Sequence, residues 1–180
     1  LDNVDSLHQA HSQTSPCGKQ VSIGLVRMAN INPLVALAQQ LAKSEVNSDT
    51  HLHLCVYHSQ FPLIQRSKIE NTLDAVLNRT TPDKTKPDPQ WQHPAIKNGL
   101  TQSSAKHHIF IVLATAVAEV GRDWDLDWAV VEPSSIRSII QLAGRIQRHR
   151  RTVPEQPNIA LLNTNYKALN QPGQPAFCRP

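Results

Sequence analysis

H-I-F-I-V-L-A, from His108 to Ala114, is an almost unbroken apolar run, and its reading decides the fold. A strand with one solvated face alternates apolar and polar residues. One that does not alternate is covered on both faces, as in a parallel sheet with helices on either side. Shorter strands lie outward from it: V-S-I-G-L-V from Val21 to near Met28, then His51–Tyr57, Trp128–Val131 and Asn158–Leu162. Leu34, Leu37, Ala38 and Leu41 recur at helical spacing to about Lys43, with Asn30 or Asn32 as cap and Pro33 in the first turn. Ile69, Leu73, Val76 and Leu77 mark a helix from about Leu63 to Asn78, and Ser134 or Ser135 caps another that runs to about His149. This order predicts an α/β domain with a mostly parallel sheet covered by helices on both faces. The functional loops then leave the carboxyl ends of the strands, after Met28, Tyr57 and Ala114.

The chain has 180 residues, 39% of them hydrophobic, enough for one lean core. Residues 1–20 are polar without a clear period and read as a linker or frayed end, so the domain is expected over 21–165. Residues 79–107 hold Pro82, Pro87, Pro89 and Pro94 and lack periodicity. They read as a Pro-rich insertion, with one short helical turn around Trp91–Gly99 docking back. Residues 166–180 read as the start of a linker to a following domain. No run approaches the roughly 18 apolar residues of a membrane span, and the start carries no basic segment leading into an apolar one. The expectation is a cytoplasmic protein without a membrane partner. Cys17, Cys55 and Cys178 are far apart and odd in number, which suits a reducing compartment and no metal cluster.

Eighteen Lys plus Arg against fourteen Asp plus Glu leave a net charge of +4, so the placement of charge matters more than its sum. On a wheel of about 100° per residue with Arg137 at zero, Gln141 falls near 40°, Arg145 near 80° and Arg148 near 20°. Ile136, Ile139, Ile140, Ala143 and Ile146 lie roughly opposite, so this reading turns a guanidinium row away from the core. Arg150 and Arg151 extend the positive charge. A solvated helix face would account for the row. Arg in place of Lys throughout, with Gly144 opening the surface beside Arg145, points to phosphate instead. The chemistry suggested is stabilisation of charge developing on a phosphoryl group, delivered to a partner lobe's site.

Thr115 to Asp123, T-A-V-A-E-V-G-R-D, follows the buried strand. Thr115 is placed to contact a phosphate, Gly121 permits a tight backbone path, and Asp123 could orient a ribose hydroxyl, a water or an arginine. Plain capping and turn formation would explain the same residues. Asp125 and Asp127 continue the acidic spacing but lack the glycine of a calcium loop. No G-x-x-x-x-G-K-S/T is present to cradle a triphosphate, and no acidic magnesium motif follows a strand. The histidines (His107-His108 and His51, His53, His58) read as strand residues, and no metal site is expected.

Q-L-A-G-R-I-Q-R-H-R, at Gln141 to Arg150, resembles the sixth motif of superfamily 2 helicases, Q-x-x-G-R-x-x-R. A-T-A-V-A-E-V-G-R-D, at Ala114 to Asp123, resembles their fifth. With D-W-D-L-D-W-A-V-V-E-P-S-S, Y-H-S-Q-F-P-L-I-Q-R at Tyr57 to Arg66, V-R-M-A-N-I-N-P-L at Val26 to Leu34 and the ending A-F-C-R-P, the chain resembles one branch. That branch is the CRISPR-associated helicase–nuclease of type I systems, in the F-subtype form fused to an adaptation subunit.

The resemblance implies the second RecA-like lobe of an ATP-dependent single-stranded-DNA translocase or helicase. The family protein works with a metal-dependent HD nuclease after recruitment by the RNA-guided surveillance complex, and its form here implies the CRISPR integrase subunit as a further partner. ATP and Mg would be bound mainly by the first lobe, and a divalent metal by the nuclease domain. By position, Arg145 and Arg148 would reach the γ-phosphate, with Arg148 as the arginine finger and Gln141 in the same cleft. Gly121 and Asp123 would lie near the nucleotide, and Thr115, His58, Ser59 and Arg66 would face the DNA. The first lobe with its P-loop, and the nuclease domain, fall outside these 180 residues, so the piece alone is expected to be inactive. The competing readings are a non-enzymatic nucleic-acid-binding module using the basic helix 135–151, and an interaction domain whose Pro-rich loop docks a protein.

Overall fold

The sheet is parallel throughout its main path. In a computed structural model that describes residues 1–80, 88–119, 121–150 and 153–174, it runs in the order β3-β4-β2-β5-β6. The strands are β2 (Gln20–Arg27), β3 (Thr50–Tyr57), β4 (His107–Ala114), β5 (Trp128–Val131) and β6 (Ile159–Leu161). A two-residue strand, β1 (Gln13–Thr14), adds antiparallel to β2. β4 lies between β2 and β3 with full eight-residue registers on both sides. Its run carries no polar alternation because both of its faces are covered.

Alternate residues feed two separate cores. Ile109, Ile111 and Leu113 point to one face and join Val26, Trp128 and Val130. Val112 and Ala114 point to the other and join Leu25, Ala129 and Val131. The helices α1 (Asp2–His11) and α2 (Ile31–Lys43) cover the first face through Val4, Leu7, Leu34 and Ala38. The second is covered by α3 (Leu63–Leu77) and α4 (Pro94–Thr101) through Leu73, Val76, Leu77, Ile96 and Leu100. A Cβ at Gly24 would lie 2.2 Å from the Trp128 ring, so β2 needs glycine where the indole crosses it.

Four expectations change. Residues 1–20 are not a frayed end: α1 buries Val4 and Leu7, and its polar residues His8 and His11 are buried as well. The helix over Leu63–Leu77 matches its expected span, but the 79–107 stretch is built into the domain where the structure describes it. A 3-10 turn spans Pro89–Gln92, α4 docks on the core, and Arg79 is buried; residues 81–87 lie outside the described residues. The helix expected to reach His149 is α5 (Ile136–Ala143), capped by the Ser135 hydroxyl accepting from the Ser138 N–H at 3.1 Å. Of the segment 166–180, Tyr166–Asn170 form a short α6, and 175–180 lie outside the described residues. Asn30 does cap α2, by position and without a side-chain hydrogen bond. No helix among the described residues is long and apolar enough to cross a membrane.

The amino ends of the strands hold a histidine cluster. His8 Nδ1 lies 2.7 Å from Ser22 Oγ and its Nε2 3.1 Å from His107 Nδ1, while His53 Nε2 lies 2.9 Å from His108 Nδ1. Burial, with His107 nearby, lowers His8 to about 4; burial, with His51 and His108 nearby, lowers His53 to about 3. Below pH 6.5 the unfolded chain takes up protons that these rings refuse in the fold. Their contribution is thus complete above pH 6.5 and drains as pH falls toward 4 and then 3. For His8 the loss between pH 7 and pH 5 is about 2 kcal/mol. Urea unfolding of the chain at the two pH values should show a lower midpoint at pH 5, and equal midpoints would contradict neutral burial of the rings.

Candidate nucleotide-facing surface and cleft

Two places collect the residues that the sequence singles out. The first is a turn that follows α5. After Ala143 the chain leaves the helix, and Ile146 pairs with Leu126 in an isolated parallel bridge. Arg145 and Arg148 therefore do not continue the α5 stripe of Arg137 and Gln141, and the single guanidinium row on one helix is corrected to a helix plus a turn. The isoleucine face is corrected too: Ile136 and Ile140 are 77% and 66% exposed, and Leu142 is the residue that α5 buries. Gln141 is exposed.

The turn is fastened to the loop after β4. Arg145 Nη2 donates to the Glu119 carbonyl at 2.9 Å, and Arg148 Nε lies 2.7 Å from Asp123 Oδ1. His149 Nε2 is 3.1 Å from the same carboxylate oxygen. Of the roles open to Asp123, pairing with an arginine is the one that the structure displays. Gly121 has φ 68°, a left-handed turn that lets the loop double back. Arg145 Nε is buried without a hydrogen-bond partner, and burial together with the neighbouring Arg148 pushes its guanidinium below the ordinary arginine value. It remains a cation at neutral pH. A half-buried, half-used guanidinium beside a second, exposed one suits an anion arriving from outside the lobe.

Arg150 does not extend the positive surface. It turns inward, its Nη2 donating to Asp127 Oδ1 and its Nε 3.5 Å from Asp125 Oδ1. Arg79 Nη1 donates to Asp127 Oδ1 as well, at 2.7 Å. Asp125 and Asp127 are thereby structural carboxylates. Arg151 lies outside the described residues.

The second place is a cleft of about 630 Å³ at the carboxyl ends of β2, β3 and β4, lined among others by Asn30, Ser59, Thr115, Tyr166 and Lys167. It brings Ser59 and Thr115 together. His58 is buried instead, stacked on Phe61 at 4.4 Å and accepting from the Gln60 N–H, and Arg66 packs 3.5 Å from Glu70 on α3. Neither lines the cleft.

Sequence reasoning passed over the residues that hold the two places in shape. Arg27, buried at the end of β2, donates to Glu119 Oε1 at 2.8 Å, to the Glu132 carbonyl at 3.2 Å and to Ser138 Oγ at 2.8 Å. The Glu132 carboxylate accepts the Ala29 N–H at 2.5 Å and the Tyr166 N–H at 2.6 Å, so one buried acid ties two walls of the cleft. A lone Arg ending an apolar strand was the available signal.

The family described as CRISPR-associated nuclease/helicase Cas3, C-terminal, matches residues 20–151, which include the cleft loops after β2, β3 and β4 and the arginine turn. The chain belongs to the Cas3 helicase/nuclease family. It is 53% identical over 177 residues to the CRISPR-associated nuclease/helicase Cas3 subtype I-F/YPEST of Pectobacterium atrosepticum, covering 97% of this chain and 16% of that protein. It is 49% identical over 175 residues to the protein of the same description from Pseudomonas aeruginosa, again covering 97% and 16%. The chain thus spans about a sixth of the length of these Cas3 relatives. Among solved structures, T. fusca Cas3 with AMPPNP superposes with a TM-score of 0.57 at 18% identity, over 98% of this chain and 17% of that one. T. fusca Cas3 alone gives 0.55 at 18% identity, over 87% and 15%. At that identity the likeness speaks for the fold, a parallel sheet flanked by helices as in a RecA-like lobe.

Proposed function

We propose that this chain is the second motor lobe of an ATP-dependent single-stranded-DNA translocase, which works with a metal-dependent HD nuclease in RNA-guided degradation of foreign DNA. The observation that carries the reading is the fastening of the arginine turn to the loop after β4, with Arg148 at the surface and Arg145 Nε unpartnered. Arg145 and Arg148 would meet the γ-phosphate of ATP held, with its Mg, by a first RecA-like lobe. Bound there, the nucleotide supplies the phosphoryl group whose transfer drives movement; the two guanidiniums supply positive charge where negative charge develops. Thr115 and Ser59, on the cleft at the strand ends, would contact the DNA backbone, with Gly121 and Asp123 shaping the nucleotide side. His58 would act by supporting that loop from inside, and Arg66 from α3. The surveillance complex and the integrase subunit are partners of the longer protein in this reading.

Single-stranded-DNA-stimulated ATP hydrolysis tests it. The isolated chain should hydrolyse no ATP above background, and a polypeptide that joins it to the first lobe should turn over in response to DNA. Salt-sensitive DNA binding by the chain, with the joined polypeptide indifferent to ATP, would favour a nucleic-acid-binding module instead.

A further inference from the structure

Between Arg145 and Arg148 sits Gln147, with φ 50°, the one described non-glycine residue in the left-handed region. An L-residue avoids that region because its Cβ crowds the following carbonyl oxygen. Such a conformation persists where surrounding contacts over-determine it, and it concentrates at working sites.

Here the contacts come from three directions. The Gln147 N–H donates to the Leu126 carbonyl at 2.8 Å, and the Leu126 N–H to the Arg145 carbonyl at 3.0 Å, so the turn is stitched to the segment before β5. Gln147 Nε2 donates to the Asp127 carbonyl at 3.1 Å. The same amide nitrogen lies 3.4 Å from His11 Nδ1, and His11 Nε2 is 3.0 Å from the Pro157 carbonyl. A carbonyl can only accept, so His11 carries its proton on Nε2 and leaves Nδ1 to accept from Gln147. The N-terminal helix α1, outside the residues that the family matches, thereby reaches the arginine turn.

The left-handed residue sets the direction of the arginine that follows it. Arg145 reaches the Glu119 carbonyl directly after α5 ends at Ala143, and the reversal at Gln147 turns Arg148 to Asp123. We infer that Gln147 is a positioning residue. Its left-handed backbone, locked by the Asp127 carbonyl and backed by His11, aims Arg148 at the phosphoryl group. The inference rests on the reading of Arg148 as the phosphate-facing arginine.

The test uses the longer protein carrying both lobes, with kcat and KM for ATP measured under saturating single-stranded DNA. Gln147→Val, whose branched side chain resists the left-handed region, should lower kcat by about 10- to 100-fold with KM for ATP little changed, the scale expected of a catalytic group displaced by about an ångström. Gln147→Gly keeps the turn without strain and removes only the amide anchor. It should lose kcat about three- to tenfold at an unchanged melting temperature, and it decides the matter if the valine variant does not fold. Both penalties should shrink toward onefold on an Arg148→Ala background, because a group that acts through Arg148 has nothing left to position. Native kcat in Gln147→Gly would overturn the inference, as would a penalty that survives intact without Arg148. Unchanged turnover in Arg148→Ala alone would remove the reading beneath it, and the inference with it. A large Arg148→Ala effect beside an inert Gln147 would overturn the positioning role only.

Discussion

Arg148→Ala in the protein that carries both lobes is expected to lower single-stranded-DNA-stimulated ATP turnover by about 100-fold or more while ATP binding is retained, in line with the scale of arginine fingers. Binding is kept because the P-loop and magnesium contacts would belong to the first lobe. Turnover falls because the guanidinium acts on charge that appears only in the transition state. The structure also explains why the loss should not be a folding defect. Arg148 is 42% exposed at its side chain, and its partner Asp123 is 59% exposed. An ion pair that open is worth about 0–1 kcal/mol, so breaking it leaves the melting temperature within a few degrees. The same weakness lets Arg148 leave Asp123 for a stronger anion without a large penalty. Arg145 differs: it is half-buried and bonded to the Glu119 carbonyl, so its removal should disturb the loop as well as the chemistry. Direct nucleotide-binding measurements beside the turnover assay separate the two effects. Turnover within about threefold of native for Arg148→Ala would sink the arginine-finger role, since a group facing the transferred phosphoryl cannot be that dispensable.

The sheet was readable because parallel strands buried on both faces leave a continuous apolar trace. β4 and β5 stand within one residue of their expected bounds. α1 was not readable for a related reason: its apolar stripe is two residues, Val4 and Leu7, and its remaining burial comes from His8 and His11, whose cost is met by Ser22 and by the Pro157 carbonyl. α5 was overextended because apolar spacing runs on to Ile146. That residue is buried, but by a bridge to Leu126 and not by a helix. Amphipathic spacing says which residues share a face and nothing about what covers it, so Ile136 and Ile140 came out on the exposed side. At the candidate site, residue types were legible and pairings were not. Arg27 meets Glu119 across 92 positions, and Arg79 meets Asp127 across 48. Compensation at that separation leaves no local pattern, and a charged residue that folding will bury looks in sequence like any surface charge.

Asp127 concentrates that hidden compensation, and Asp127→Ala is the substitution expected to cost the fold most. The carboxylate is 2% exposed at its side chain, and it takes Arg79 Nη1 at 2.7 Å, the Arg150 guanidinium and the Ile23 N–H at 2.6 Å. Burial by itself would raise its pKa, but Arg79 and Arg150 outweigh it and hold the group below the ordinary carboxylate value. Its stabilising share is accordingly present above about pH 4 and is lost only as pH falls further. Removing the carboxylate leaves Arg79 charged, almost fully buried and without its counterion. Breaking one side of such a pair costs about 3–5 kcal/mol. Arg79→Met should cost less, because Arg150 still neutralises Asp127 and methionine fills much of the vacated space. Urea unfolding of the two variants reads this order, and a loss under about 1 kcal/mol for Asp127→Ala would mean that the arginines find water or another acid. The consequence extends to the arginine turn. Arg79 opens the Pro-rich stretch, Arg150 closes the arginine turn, and Gln147 leans on the Asp127 carbonyl. One buried acid between the 79–107 stretch and the turn that carries Arg145 and Arg148 gives that stretch a physical hold on the turn, so shifts in one should register in the other through Asp127.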